Sequence, residues 1–143
     1  MATVELRFSP LPEHVRTARL VAAAMARRAG VDEAVLDEVR LAVGEACSRA
    51  VGLHQAGGIT APVRVALIEE EKQFSIEVGD EAPHATAAAP GVPGTAGEPD
   101  AEGEDEMGLA VISGLVDDVE VTADADGGQI RMSWPTLPTT LLP

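Results

Sequence analysis

The 143-residue chain predicts an α+β fold, a two-layer sandwich in which three helices cover one face of a largely antiparallel five-stranded sheet. Three observations carry this. Five short runs alternate apolar and polar residues, the period of a strand with one buried face. Three other runs repeat apolar residues at three and four positions, as amphipathic helices do. Their order, β-α-α-β-β-loop-α-β-β, lets neighbouring strands pair as hairpins and gives the helices one sheet face to cover. The length suits one domain with a real core. Aromatics make up only 2%, so that core must come from Val, Leu, Ile and Ala.

The first strand is "VELRF" (residues 4–8). "SPLP" breaks the extended run, and Pro12 suits the first turn of a helix. Val15, Ala18, Ala22, Met25 and Ala29 then form one narrow apolar stripe, and Gly30 is a natural stop. The second helix is predicted to begin near Asp32, a good N-cap, with Leu36, Val39, Val43, Ala46 and Ala50 on its buried side. Gly57 and Gly58 end it. "VRVALI" (63–68) and "QFSIEV" (73–78) read as a hairpin turning at "EEEK".

After Asp80 the composition changes to Ala, Pro, Gly and acid, with almost nothing to bury. Residues 82–106 are therefore predicted to be a mobile acidic lid. A short helix follows in "MGLAVISGLVDD", with Leu109, Ile112 and Val116 on one side. "VEVTA" and "QIRMSW" close the domain as a hairpin turning at "DADGG". Residues 1–135 thus read as one domain and 136–143 as a disordered, proline-rich tail.

The formal net charge is -14, and its position matters more than its total. Residues 1–72 carry ten acids and nine bases, whereas residues 73–130 carry fourteen acids and no Lys or Arg. That segment is a poor surface for nucleic acid, whose phosphates need basic residues. It serves solubility or steers a basic protein partner. A single cysteine, Cys47, excludes an internal disulfide and fits a reducing cytoplasm. With no signal-peptide pattern and no apolar run of about 20 residues, a cytoplasmic, non-membrane protein is expected. His14, His54 and His84 are scattered without ligand spacing, so no metal site is expected. Phosphate-loop, nucleophile-elbow and dinucleotide fingerprints are absent.

One arrangement stands out. A two-helix unit ends in "LDEVRLAVGEACSRAV", a hairpin delivers "FSIEVGDEAP", a long loop follows, and the chain re-enters a helix at "MGLAVISGLVDDVEV". From "VELRF" to "RMSWP", the chain resembles the anti-sigma factor serine kinases (RsbW-type) of the histidine-kinase-like ATPase superfamily. The resemblance implies that family's ATPase fold. It also implies ATP and magnesium as cofactors, and as partners a sigma factor, an anti-sigma factor antagonist protein and, commonly, a second copy in a homodimer.

Carried over position by position, Glu45 corresponds to the family's base or orienting Glu, and Asp80 to the Asp that receives the adenine amino group. Gly108 corresponds to the end of the second glycine motif, whose backbone N–H groups meet the phosphates. Arg49 stands where the magnesium-binding Asn belongs. A guanidinium has no lone pair for a hard cation, and its charge repels one. Ala82 and His84 replace two glycines after Asp80, and Glu106 replaces another. Two like charges about 4 Å apart cost roughly 4 kcal/mol at an effective dielectric of 20. Several acids of residues 98–106 facing a triphosphate would thus erase a micromolar affinity of about 8 kcal/mol. A lid that swings its acids into water avoids most of that cost, and Arg49 has the charge to pair with a phosphate directly.

Each position also has a plainer reading. Glu45 and Arg49 make an i,i+4 pair worth about 0.2–0.5 kcal/mol when exposed. Asp80 is also an ordinary turn acid, and Gly108 lets a loop enter a helix. Arg16, Arg19 and Arg27 flank the first helix's apolar stripe, either as a partner-contact surface or as a solvated face. Taken with the resemblance, the residues point to an anti-sigma-factor-like regulator acting by protein–protein binding, with Mg-ATP binding lost or weakened. The alternative is an active ATP-dependent serine/threonine kinase acting on an antagonist protein.

Overall fold

The computed structural model describes residues 2–83 and 108–136. Five strands form one sheet: β1 (Ala2–Phe8), β2 (Val63–Glu69), β3 (Gln73–Asp80), β4 (Asp118–Asp124) and β5 (Gly127–Pro135). Every pairing is antiparallel, and the order across the sheet is β1-β2-β3-β5-β4. The helices are α1 (Glu13–Ala29), α2 (Leu36–Ala56) and a third helical stretch, α3, over residues 108–115. The predicted α+β sandwich is therefore the observed one. No described helix is long and apolar enough to cross a membrane.

Local chemistry explains most boundaries. Gly30 is left-handed (φ 102°), its N–H donates to Arg27 O, and Val31 N–H reaches back to Ala26 O at 3.0 Å. This paired capping ends α1 and tucks the buried Val31 under it. Asp32 caps as predicted, its Oδ1 accepting from Ala34 N at 3.0 Å, but the turn it starts is a 3-10 turn, Glu33–Val35. The α-helical hydrogen-bond pattern begins only at Leu36, three residues later than the cap suggested. At the β4–β5 turn, Asp124 Oδ1 accepts from the backbone N–H groups of Asp126 and Gly127.

The core lies between the helices and one sheet face. On that face Val65, Val78 and Ile130 stand side by side across β2, β3 and β5, as do Leu67, Ile76 and Met132. All six are buried, together with Val39, Val43, Ala46 and Ala50 of α2 and Ile112 and Val116 of α3. Phe74 and Trp134 close one end as cross-strand partners. Simple alternation fails at both extremes of the sheet. Central β3 is buried at six of eight positions, because on its open face Ser75 is paired with Ser133 and Gly79 lies against the Arg64 side chain. Edge strand β4 is almost wholly exposed, with Val121 47% accessible.

The predicted lid at 82–106 falls mostly outside the described residues, as does the predicted tail beyond residue 136.

Candidate functional site

The predicted site residues converge where α2 crosses the end of β3. Glu45 and Arg49 sit one turn apart on α2, and Asp80 is the last residue of β3. Arg49 reaches across the layers, its Nη1 lying 4.0 Å from Asp80 Oδ2. Both side chains are deeply buried, 8% and 2% exposed. The sequence suggested an ion pair along the helix, between Glu45 and Arg49. Among the described residues no such pair lies within 4.0 Å, and the ion pair shown for Arg49 runs to the sheet instead.

Glu45 has a different neighbour. Gly108, buried at the described start of α3, faces it so closely that a Cβ on Gly108 would lie 3.5 Å from Glu45 Oε1. The fold thus assembles two contacts from four sequence-distant positions: Glu45 with Gly108, and Arg49 with Asp80.

Asp80 is held on its other oxygen as well. Its Oδ1 accepts a hydrogen bond from Ala82 N–H at 3.0 Å, a turn closed by the side chain itself. Gly127, from the β4–β5 hairpin, comes so near that a Cβ would lie 2.3 Å from Asp80 O, so only glycine fits there. Both carboxylate oxygens of Asp80 therefore face protein groups, a backbone N–H and a guanidinium.

One residue with a part in this site was considered in the sequence only as a metal ligand. His54 is fully buried on α2. Its Nδ1 lies 2.9 Å from Ala61 O, and its Nε2 accepts from Glu81 N–H at 2.9 Å. A carbonyl partner needs N–H on Nδ1 and a backbone N–H needs a lone pair on Nε2, so both contacts fix the neutral Nδ1–H tautomer. His54 thereby ties the C-terminal part of α2 to the residue after Asp80. The available signal was its place on the apolar side of α2, one turn beyond Ala50 and Val51.

Cys47, on the same helix, is completely buried, and burial pushes its thiol up to about 12. It is a packing residue with no thiolate character. Among the described residues no group of His, Cys, Asp and Glu side chains is placed to hold a metal ion.

Arg16, Arg19 and Arg27 are exposed on α1. Arg27 pairs with Glu33 at 2.5 Å. Arg19 lies across α2 at Gly44, where a Cβ would come within 2.7 Å of its Cδ. Leu20 on α1 and Leu41 on α2, close in sequence to these two contact residues, are 58% and 56% exposed.

Comparison with known proteins agrees with the fold. A sequence model of the histidine kinase-like ATPase domain matches residues 8–134. Among solved structures, the RsbU and RsbW domains of Rv1364c from Mycobacterium tuberculosis superpose with a TM-score of 0.68 at 16% identity. That match covers 96% of this chain and 33% of the other, so the chain spans about a third of its structural relative's length. No curated protein matches in sequence.

Proposed function

Because the chain belongs to the histidine kinase-like ATPase domain family, we propose that it is an anti-sigma-factor-like regulator that works by binding proteins, with Mg-ATP binding lost or weakened. The observation that carries this reading is the buried Arg49–Asp80 ion pair. It joins the position that should ligate magnesium to the position that should receive adenine. The residues do not fit the metal, since a guanidinium has no lone pair to give and brings a like charge. At Asp80 an adenine amino group would compete with Arg49 for Oδ2, while Oδ1 already accepts from Ala82 N–H. A nucleotide would have to displace a contact in which both charges are desolvated.

A sigma factor, an antagonist protein, or both are the proposed partners. The outer side of α1, with Arg16, Arg19 and Leu20, and the neighbouring Leu41 of α2 are the proposed contact surface. Exposed leucines among arginines provide both an apolar anchor and an orienting charge. The kinase alternative keeps one observation in its favour, the Glu45 carboxylate facing Gly108.

Calorimetric titration with ATP and magnesium separates the readings. Wild type should show no binding at micromolar nucleotide, and Arg49→Asn should gain affinity. Micromolar binding by wild type, with phosphate transferred to an antagonist protein, would instead establish the kinase. For the partner reading, the organism's sigma factors and antagonists are to be co-expressed one by one with this chain. A complex that survives gel filtration and is lost in Arg16→Glu/Arg19→Glu supports it, and no complex with any of them refutes it.

A further inference from the structure

On the sheet face turned away from the helices, Arg7 of β1 and Arg64 of β2 stand directly opposite each other in the strand register. Like charges in that position destabilise an antiparallel pair. Glu5 offsets part of this, its Oε1 accepting from Arg7 Nε at 2.6 Å. Arg64 has no ion pair among the described residues.

Its guanidinium instead lies against Gly79 of β3, where a Cβ would sit 2.7 Å from Nη2, 3.3 Å from Cζ and 3.4 Å from Nε. Gly79 is not among the glycines with positive φ. The position uses the missing side chain, not backbone freedom, and the space it leaves holds the guanidinium. Beside it Arg7, Pro62, Arg64, Gly79, Asp80 and Glu81 line a cavity of about 90 Å³. That is room for several waters, and so for one small oxyanion. Asp80 contributes main chain here, because its carboxylate is turned to Arg49 on the helix side. Glu81 also lines the cavity, yet it forms no ion pair with either arginine among the described residues.

We propose that Arg64 and Arg7 form an oxyanion-binding pocket that takes a single phosphoryl or carboxylate group. The Arg64 fork packed on Gly79, with Arg7 lining the same cavity, suits the paired oxygens of such a group. A bound anion would also relieve the Arg7–Arg64 opposition. The pocket is on the opposite side of the sheet from the Arg49–Asp80 pair and does not depend on the reading of that pair.

The test is a titration of the ¹⁵N-labelled full chain followed by NMR, with sodium phosphate, sodium acetate and sodium chloride at matched ionic strength. Saturable shifts at the Gly79 and Glu81 amides are expected with phosphate or acetate and not with chloride. Arg64→Gln, an exposed substitution that leaves the core intact, should weaken binding at least fivefold, and Arg7→Gln should weaken it too. Preference for phosphate identifies a phosphoryl group as the ligand, and equal or better response to acetate identifies a carboxylate. A response no different from chloride, or one unchanged in Arg64→Gln, overturns the proposal.

Discussion

Two arginines lie on opposite sides of β3, each facing carboxylates, and their surroundings differ. On the helix side Arg49 approaches Asp80 at 4.0 Å with both side chains more than nine-tenths buried. On the open side Arg131 of β5 reaches Glu77 at 3.1 Å and Glu70 at 3.0 Å, with about a quarter to a third of each side chain exposed. By distance alone the open-side pairs look stronger, since 4.0 Å is beyond hydrogen-bond reach. Burial reverses the ranking of what each is worth when broken. Water resolvates Glu77 and Glu70 if Arg131 is removed, whereas the Asp80 carboxylate is shielded from water in the folded chain.

The sharpest way to break that contrast is to truncate each arginine and compare. Arg49→Ala should cost about 3–5 kcal/mol of stability, read from the urea midpoint, because a buried charge loses its partner. A loss under about 1 kcal/mol would mean that Asp80 is solvated and the site is open. Should Arg49→Ala be too unstable to study, Asp80→Asn tests the same pair. It keeps the acceptor for Ala82 N–H but takes the Asp80 charge away from the buried Arg49 guanidinium, so a loss of comparable size is expected.

A second measurement probes how dry the helix side is, through Cys47. Burial raises its thiol from 9.0 to about 12. Between those values the unfolded chain releases the thiol proton and the folded chain keeps it. Stability from this group is therefore full below pH 9 and falls as pH rises toward 12, by about 1.4 kcal/mol per pH unit. Cys47→Ala should remove that component of the alkaline slope, and an unchanged slope would show that the thiol is not the group responsible.

The smallest effect is expected on the open side. Arg131→Ala should cost about 1 kcal/mol or less after allowance for solvent screening. Raising salt should shrink that difference and leave the Arg49→Ala difference nearly untouched. Equal costs for the two arginines, or equal salt sensitivity, would remove the distinction between the faces.

Much of the fold was legible because its signals are local. Pro12, Gly30, Gly57 and Gly58 mark helix limits by backbone chemistry that acts within a few residues. The start of α2 was misplaced because an Asp cap looks the same whether a 3-10 or an α turn follows it. In the site, the Glu45–Arg49 spacing on one helix was readable, but a spacing of four does not say which neighbour a long side chain will choose. Arg49 chose a residue 31 positions away on another layer. His54 and Gly79 were passed over for the same reason, since their partners Ala61, Glu81 and Arg64 meet them only through the packing of α2 and the pairing of strands.

The amino-acid order was thus sufficient to set the elements, their sequence and the side each buries, because periodicity and capping are short-range properties of the chain. Resemblance also singled out Glu45, Arg49, Asp80 and Gly108 as candidate site residues. Which of them touch was settled by the stacking of α2 on the sheet. Coulombic attraction in a buried site depends on distance and exclusion of water, and neither is written in a linear sequence.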